Sequence, residues 1–96
     1  MTAYVVFCTD RIGDRDAIRR YRAAAIPTLA ASGGRVIAGP ATAATLEGAG
    51  VDALVIVEFE SVAAARAWYD SPAYRAATAI RHAGSEGRAF IVEGRA

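Results

Sequence analysis

Two residues of this 96-residue chain are candidates for acid–base chemistry. Glu58 shares a strand face with Leu54 and Ile56 in the segment Ala53–Phe59, so its carboxylate is placed to enter an apolar cavity. A carboxylate in such surroundings can act as a general acid or base. The alternative is a carboxylate at the end of the strand that is solvated or paired with an arginine. His82 is either a general base at the mouth of a pocket or a surface residue favoured by the dipole of a helix C-terminus.

A second set of residues is suited to holding a ligand. Arginine binds carboxylates and phosphates in a bidentate manner, although each arginine can equally form an ordinary surface ion pair. Aromatic side chains can line a pocket, although those at helical spacing fit a core equally well, as we expect for Trp68 and Tyr69. Tyrosine hydroxyls need partners, which favours Tyr21 and Tyr74 as pocket residues. The ligand-binding candidates are Tyr21, Arg22, Arg35, Tyr74 and Arg81, with Arg88 as a further arginine at the start of a strand.

The composition excludes several classes of chemistry. The chain has no lysine, which excludes a Schiff-base lysine and the lysine of a phosphate-binding Walker motif. Cys8 and His82 are its only cysteine and histidine, too few for the nitrogen and sulfur ligands of a structural zinc site. We therefore expect no metal and no cofactor. Cys8 itself is expected to be an inert apolar side chain within a strand.

Charge and hydropathy limit the partners and the compartment. Lysine and arginine number 11 and acidic residues 10, and this net charge of +1 argues against a nucleic-acid or membrane-surface binder. The N-terminus lacks the basic start of a signal peptide, and no apolar run approaches the ~18 residues of a membrane span. A single cysteine fits a reducing compartment. We expect a cytoplasmic protein with no nucleic-acid and no membrane partner.

The elements that must position these residues alternate between strands and helices. Apolar periodicity, caps and turn residues predict a βαββαβ order within a single domain, residues 1–96. This order is typical of an α+β, ferredoxin-like fold with a four-stranded antiparallel sheet. Pro27 is expected to kink or split the first helix. The predicted elements are strand Ala3–Thr9, a helix from cap Asp14 to about Ser32, strand Arg35–Ala38 with a continuing strand at Ala43–Glu47, strand Ala53–Phe59, a helix capped by Ser61 that restarts at Ser71–Pro72 and runs to about His82, and strand Arg88–Glu93.

The central strands are apolar on both faces. In the first strand Tyr4, Val6 and Cys8 alternate with equally apolar neighbours. An antiparallel sheet normally exposes one face to water, and two helical stretches can cover only one face. A second copy of the chain is the simplest cover for the other face, which predicts a homodimer packed sheet to sheet.

Several segments resemble one bacterial family. The most specific are Val57-Glu58-Phe59-Glu60-Ser61 and Ala67-Trp68-Tyr69-Asp70-Ser71-Pro72-Ala73-Tyr74, with support from Tyr21-Arg22, Pro27-Thr28-Leu29-Ala30, Gly33-Gly34-Arg35, Leu46-Glu47-Gly48 and Val92-Glu93-Gly94. The pattern is similar to the domain of unknown function 1330 family, a branch of the dimeric α+β barrel superfamily. The resemblance implies a ferredoxin-like protomer and a dimer whose two sheets form a barrel, and it implies no particular reaction. Relatives in the superfamily include cofactor-free monooxygenases, muconolactone isomerases, dehydratases and haem-handling enzymes, and carrying any of their activities over is an analogy of fold.

Two hypotheses about function follow. The first is a small cofactor-free enzyme or binding protein for an anionic or aromatic metabolite, with Glu58 as acid–base residue and an arginine such as Arg35 or Arg81 orienting the ligand. Its ligand lies between the sheet and the helices, near the dimer interface. The alternative is a non-catalytic dimer that sequesters a ligand or serves as an interaction module.

Overall fold

The computed structural model describes residues 1–95, and helices cover one face of its four-stranded antiparallel sheet. The strands lie in the order β2-β3-β1-β4. This arrangement confirms the predicted βαββαβ order, with the second helix divided in two. The elements are β1 Ala3–Ile12, α1 Arg15–Ser32, β2 Arg35–Ala41, β3 Ala53–Phe59, α2 Val62–Asp70, α3 Pro72–Gly84 and β4 Ser85–Glu93.

The helix boundaries follow from local chemistry that the sequence shows. The Asp14 side chain accepts hydrogen bonds from the backbone of the first turn of α1, and Gly33 ends that helix with a positive φ of 73°. Ser61 caps α2, and Ser71 caps α3 just before Pro72. These caps confirm the predicted helix starts and the predicted end of α1.

Two details of the predicted secondary structure differ from the structure. Of the expected kink or split at Pro27, the split is wrong, because α1 is continuous from Arg15 to Ser32. The turn around Pro27 is tied to the rest of the protein, since the Thr28 hydroxyl donates to the Ala25 carbonyl and accepts from the Trp68 indole. No strand forms at Ala43–Glu47: residues 42–52 have irregular backbone, and nearly all of them are exposed beyond β2, an edge strand without a further partner in the sheet.

The core lies between the sheet and the helices. Val5, Phe7, Val57 and Phe59 project from β1 and β3 toward the helices and are almost completely buried. Trp68 lies against Phe59 at 5.3 Å and Phe7 at 6.1 Å between ring centroids. These aromatic contacts fix the height of α2 above the sheet. The remaining core members are Ala25, Ala65, Tyr74 and Ala77.

The sheet surface away from the helices, here the open face, carries an apolar strip. The cross-strand register places Val6 between Ile56 and Phe90, and Phe90 and Val92 on β4 are 51% and 53% exposed. No helix within residues 1–95 covers this face in the single protomer. Within residues 1–95, no helix has both the length and the apolar character needed to cross a bilayer.

Candidate functional site

A cavity of about 140 Å³ lies between α1 and the sheet. Helix α1 packs mainly on α3, and the space lies between α1 and the strands β1, β2 and β3. We call this space the helix-side cavity. Its walls are Phe7, Thr9, Ile12, Ile18, Tyr21, Arg22, Ala25, Ile26, Leu29, Val36, Pro40, Ala53, Val55, Val57, Trp68 and Arg81.

The cavity opens between α1 and the edge strand β2. Ile26 on α1 and Val36 on β2 both belong to its wall, yet they are 62% and 42% exposed, so they border the opening. The inner wall, by contrast, includes the buried residues Phe7, Val57 and Trp68. A ligand entering from solvent therefore passes two aliphatic side chains and meets an aromatic floor.

The charged groups of the wall are both cations. Arg22 and Arg81 belong to it, and no carboxylate among the residues of the described chain does. The Arg81 guanidinium carbon lies 5.2 Å from the centre of the Phe7 ring and 5.8 Å from that of Tyr21. Cation–π attraction of this kind is worth about 0.5–2 kcal/mol and holds the guanidinium against the wall.

Arg81 lacks an acceptor for one of its donors. Its Nε atom is buried and has no hydrogen-bond partner among residues 1–95. Its Nη2 atom lies 3.5 Å from His82 Nε2, the outer limit of a hydrogen bond. The dipole of α3 accounts for a cation in the last turn of that helix, but it supplies no acceptor for a buried N–H. A buried charged donor without an acceptor is costly, so the Arg81 guanidinium is a charged group of the wall whose hydrogen-bonding capacity is not met within residues 1–95.

A pair of tyrosine hydroxyls lies beside the guanidinium. The oxygens of Tyr21 and Tyr74 are 2.7 Å apart, and we call them the hydroxyl pair. Tyr21 belongs to the cavity wall, whereas Tyr74 is fully buried behind it with its ring 4.0 Å from that of Trp68. Burial raises the pKa of Tyr21, and Tyr74 raises it further. The positive charge of Arg81 lowers the pKa of Tyr21, but by less than burial and Tyr74 raise it. Tyr21 therefore stays protonated at neutral pH.

The structure separates the predicted site residues into two groups. Tyr21, Arg22 and Arg81 line the cavity. Tyr74 lies behind the wall and is hydrogen-bonded to Tyr21. Glu58 and Arg35 are neighbours in the register of β3 and β2, on the open face.

The residues outside the cavity have partners or positions of their own. Arg35 donates to Glu58 at 2.7 Å, so the carboxylate at the end of β3 is paired with an arginine and does not enter the helix-side cavity. His82 is exposed and borders a separate polar depression with Arg11 and Glu86. Arg88 forms a bidentate pair with Asp10.

Sequence reasoning missed most of the cavity wall. Ile18, Leu29 and Val55 carry only an apolar signal, which is the same for a packed core and for a cavity. The informative signals were the tyrosine hydroxyls of Tyr21 and Tyr74, which need partners, and the arginines Arg22 and Arg81, although nothing in the sequence paired Tyr21 with Tyr74. Within residues 1–95, no three His, Cys, Asp or Glu side chains cluster as a metal site would require.

Comparison with known proteins identifies both a family and a fold. A family model described as a domain of unknown function, DUF1330, matches residues 2–95. A protein of unknown function from Rhodopseudomonas palustris has a similar crystal structure, with a TM-score of 0.81 and 21% sequence identity over 99% of this chain and 83% of that one. A comparison with curated protein sequences found no match.

More distant structures share the same architecture. A dimeric ferredoxin-like protein of unknown function from Jannaschia sp. CCS1 matches with a TM-score of 0.74 and 17% identity, covering 98% of this chain and all of that one. SnoaB, a cofactor-independent oxygenase from Streptomyces nogalater, matches with a TM-score of 0.64 and 13% identity, covering 99% and 93%. At these identities the likeness is one of fold, and it confirms the ferredoxin-like prediction.

Proposed function

The chain belongs to the DUF1330 family, whose description assigns no activity, and we propose that it binds a small, mostly apolar anion in the helix-side cavity. The observation that carries this proposal is the buried Nε atom of Arg81, which has no acceptor among residues 1–95. A carboxylate or another anionic oxygen that reaches the Arg81 guanidinium forms a charge-assisted hydrogen bond with it. The apolar walls then surround the rest of the ligand.

The size of the cavity indicates the size of the ligand. A protein cavity of about 150 Å³ lined by apolar side chains accommodates benzene. The helix-side cavity, at about 140 Å³, is suited to a single ring or a branched chain of similar volume. Its aromatic floor of Phe7 and Trp68 favours a planar ligand. An aromatic carboxylate is thus a suitable probe.

Cofactor-free catalysis is the second candidate function. The observation that favours it is the hydroxyl pair, because Tyr21 is a protonated donor beside a fixed cation. The fold of the Streptomyces oxygenase, which works without a cofactor, is compatible with this proposal. Sequestration without turnover is the competing alternative. Native mass spectrometry of protein purified gently from cells identifies a retained ligand, and incubation of that compound with fresh protein distinguishes an enzyme from a binding protein.

Titration calorimetry with benzoate tests the binding proposal. The Arg81→Met variant keeps an unbranched side chain but loses the guanidinium, and a hydrogen bond to a charged group is worth about 1.5–3 kcal/mol. We expect its dissociation constant to rise by about tenfold or more. Arg66→Met, at an exposed arginine paired with Asp70, is the matched control. Glu58→Gln, on the open face, is a second control, and both are expected to bind like the wild type.

Two outcomes of this titration contradict the proposal. One is that the wild-type protein fails to bind benzoate at millimolar concentration. The other is that Arg81→Met binds it as tightly as Arg66→Met does. Thermal unfolding of each variant establishes that a loss of binding does not come from a loss of fold.

We also propose a cytoplasmic homodimer that buries the open face of each protomer. The apolar strip around Val6, with Phe90 and Val92 more than half exposed, supports this assembly. The Jannaschia protein of the same fold is described as dimeric. A symmetric contact of two such faces removes apolar surface from water on both sheets at once. The single cysteine, Cys8, is consistent with the reducing cytoplasm.

A further inference from the structure

The hydroxyl pair has two O–H donors but only one hydrogen bond between its members, so one O–H is left over. Each tyrosine hydroxyl supplies one O–H donor and can accept hydrogen bonds. The contact between Tyr21 and Tyr74 consumes one of the two O–H groups. Within residues 1–95 neither hydroxyl forms any other hydrogen bond, so the second O–H is left without an acceptor.

Burial decides which tyrosine keeps the unused hydrogen. Tyr74 is 0% exposed and lies outside the cavity wall, so an unused O–H on it would be a buried donor with no acceptor. Tyr21 is only half-buried and belongs to the wall. The favourable arrangement therefore has Tyr74 donating to Tyr21, and Tyr21 offering its own O–H to the cavity.

Tyr21 and Arg81 lie next to each other in the wall of the helix-side cavity. The guanidinium carbon of Arg81 lies 5.8 Å from the centre of the Tyr21 ring, and both side chains line the helix-side cavity. A hydroxyl that accepts a hydrogen bond becomes a stronger donor, because hydrogen bonds in a chain polarise one another. Two donors, one of them positively charged, then face a region with no carboxylate among the described wall residues.

We propose that the helix-side cavity binds its ligand as an oxyanion of the phenolate or enolate type, with Tyr21 as hydrogen-bond donor, Arg81 as cation and Tyr74 as the residue that positions Tyr21. This inference rests on the proposed function and narrows the class of ligand. Ionisation of the bound compound releases its proton to solvent. The raised pKa of Tyr21 agrees with this role, because it keeps the phenol of the protein protonated while the ligand is ionised.

The probe for this inference is 4-nitrophenol, whose phenolate is coloured. Titration of pH with the probe bound to the intact protein measures the pKa of the bound probe. We expect that pKa to lie at least about one unit below its value in free solution, equivalent to tenfold stronger binding of the phenolate than of the phenol. Tyr21→Phe should raise the dissociation constant of the phenolate about tenfold, because it removes a hydrogen bond to a charged group.

Tyr74→Phe separates positioning from packing. This variant keeps the ring against Trp68 and removes only the oxygen, so we expect the pKa of the bound probe to return part of the way toward its free value. Nitrobenzene, a neutral probe of similar size without the hydroxyl, should bind the wild type and Tyr74→Phe equally. Tyr21→Phe keeps the inference testable if Tyr74→Phe does not fold.

The possible failures are distinguishable. If neither benzoate nor 4-nitrophenol binds the wild type, the proposed function itself is wrong. If benzoate binds in a manner dependent on Arg81 but the pKa of bound 4-nitrophenol equals its free value, only the oxyanion inference is overturned. The oxyanion inference is likewise overturned if the pKa of the bound probe is the same in both tyrosine variants as in the wild type. A loss of nitrobenzene binding that parallels the loss of phenolate binding assigns Tyr74 a packing role only.

Discussion

The hydroxyl of Thr28 links α1 to α2 through two hydrogen bonds. A substitution by valine, which has nearly the same shape as threonine, removes both of them. The indole Nε1 of Trp68 donates to Thr28 Oγ1 at 2.9 Å, and that hydroxyl donates to the Ala25 carbonyl at 2.6 Å. Trp68 is 2% exposed and forms part of the cavity floor. In addition to its aromatic contacts, the floor residue Trp68 is therefore oriented by one threonine oxygen in the turn that contains Pro27.

Replacing Thr28 with valine leaves the indole N–H buried without this acceptor. Leaving a buried donor unsatisfied costs about 1–3 kcal/mol, whereas exchanging threonine for valine changes helix propensity little. A domain of this size typically loses about 4–8 °C in Tm for each kcal/mol. A loss of about 2 kcal/mol from Thr28→Val thus lowers Tm by roughly 8–16 °C. This is a large share of the about 5–15 kcal/mol that keeps a small domain folded.

A double-mutant cycle with Trp68→Phe isolates the interaction. Phenylalanine removes the indole donor, so Thr28→Val should cost much less in that background than in the wild type. The free energy of unfolding is measured by urea denaturation for the four proteins. Thr28→Ser, which keeps the hydroxyl, is the control and should retain most of the stability. If Thr28→Val costs the same in both backgrounds, the hydrogen bond does not carry the stability assigned to it, and the argument is refuted.

Two further predictions concern pH and assembly. Burial raises the pKa of Tyr21 above its ordinary 10.0, so the unfolded chain releases this phenolic proton first as pH rises. Tyr21 therefore stabilises the fold fully below about pH 10, and above it the free energy of unfolding falls by about 1.4 kcal/mol per pH unit. Urea denaturation between about pH 9 and pH 11 should show this slope lessened in Tyr21→Phe, and an equal slope in both proteins contradicts the assignment. For assembly, sedimentation should give twice the 10.0 kDa chain mass, and Phe90→Asp should weaken the dimer by at least about tenfold, whereas Val62→Asp on the helical side should not. A monomeric wild type, or a dimer unaffected by Phe90→Asp, is evidence against the sheet-to-sheet contact.

Most of the fold was predictable because its signals are local. The caps at Asp14, Ser61 and Ser71 act within one helical turn, and the positive φ of Gly33 ends α1 without reference to the rest of the chain. Alternation along β1 and β3 indicated which side chains share a face. The continuity of α1 through Pro27 was not predictable, since it accompanies a contact from Thr28 to a tryptophan 40 positions away.

The candidate site was predictable only in part. The sequence alone determined which side chains were available for chemistry: eleven arginines, four tyrosines, one histidine and no lysine. It also indicated that Glu58 lies on the same strand face as Leu54 and Ile56. Which face of the sheet the helices cover is a tertiary matter, and that choice placed Glu58 with Arg35 on the open face and left Arg81, from the far end of α3, beside Tyr21. A cavity and a packed core are lined by the same residue types, so only the tertiary packing of the helices on the sheet decided that a space remained between α1 and the sheet.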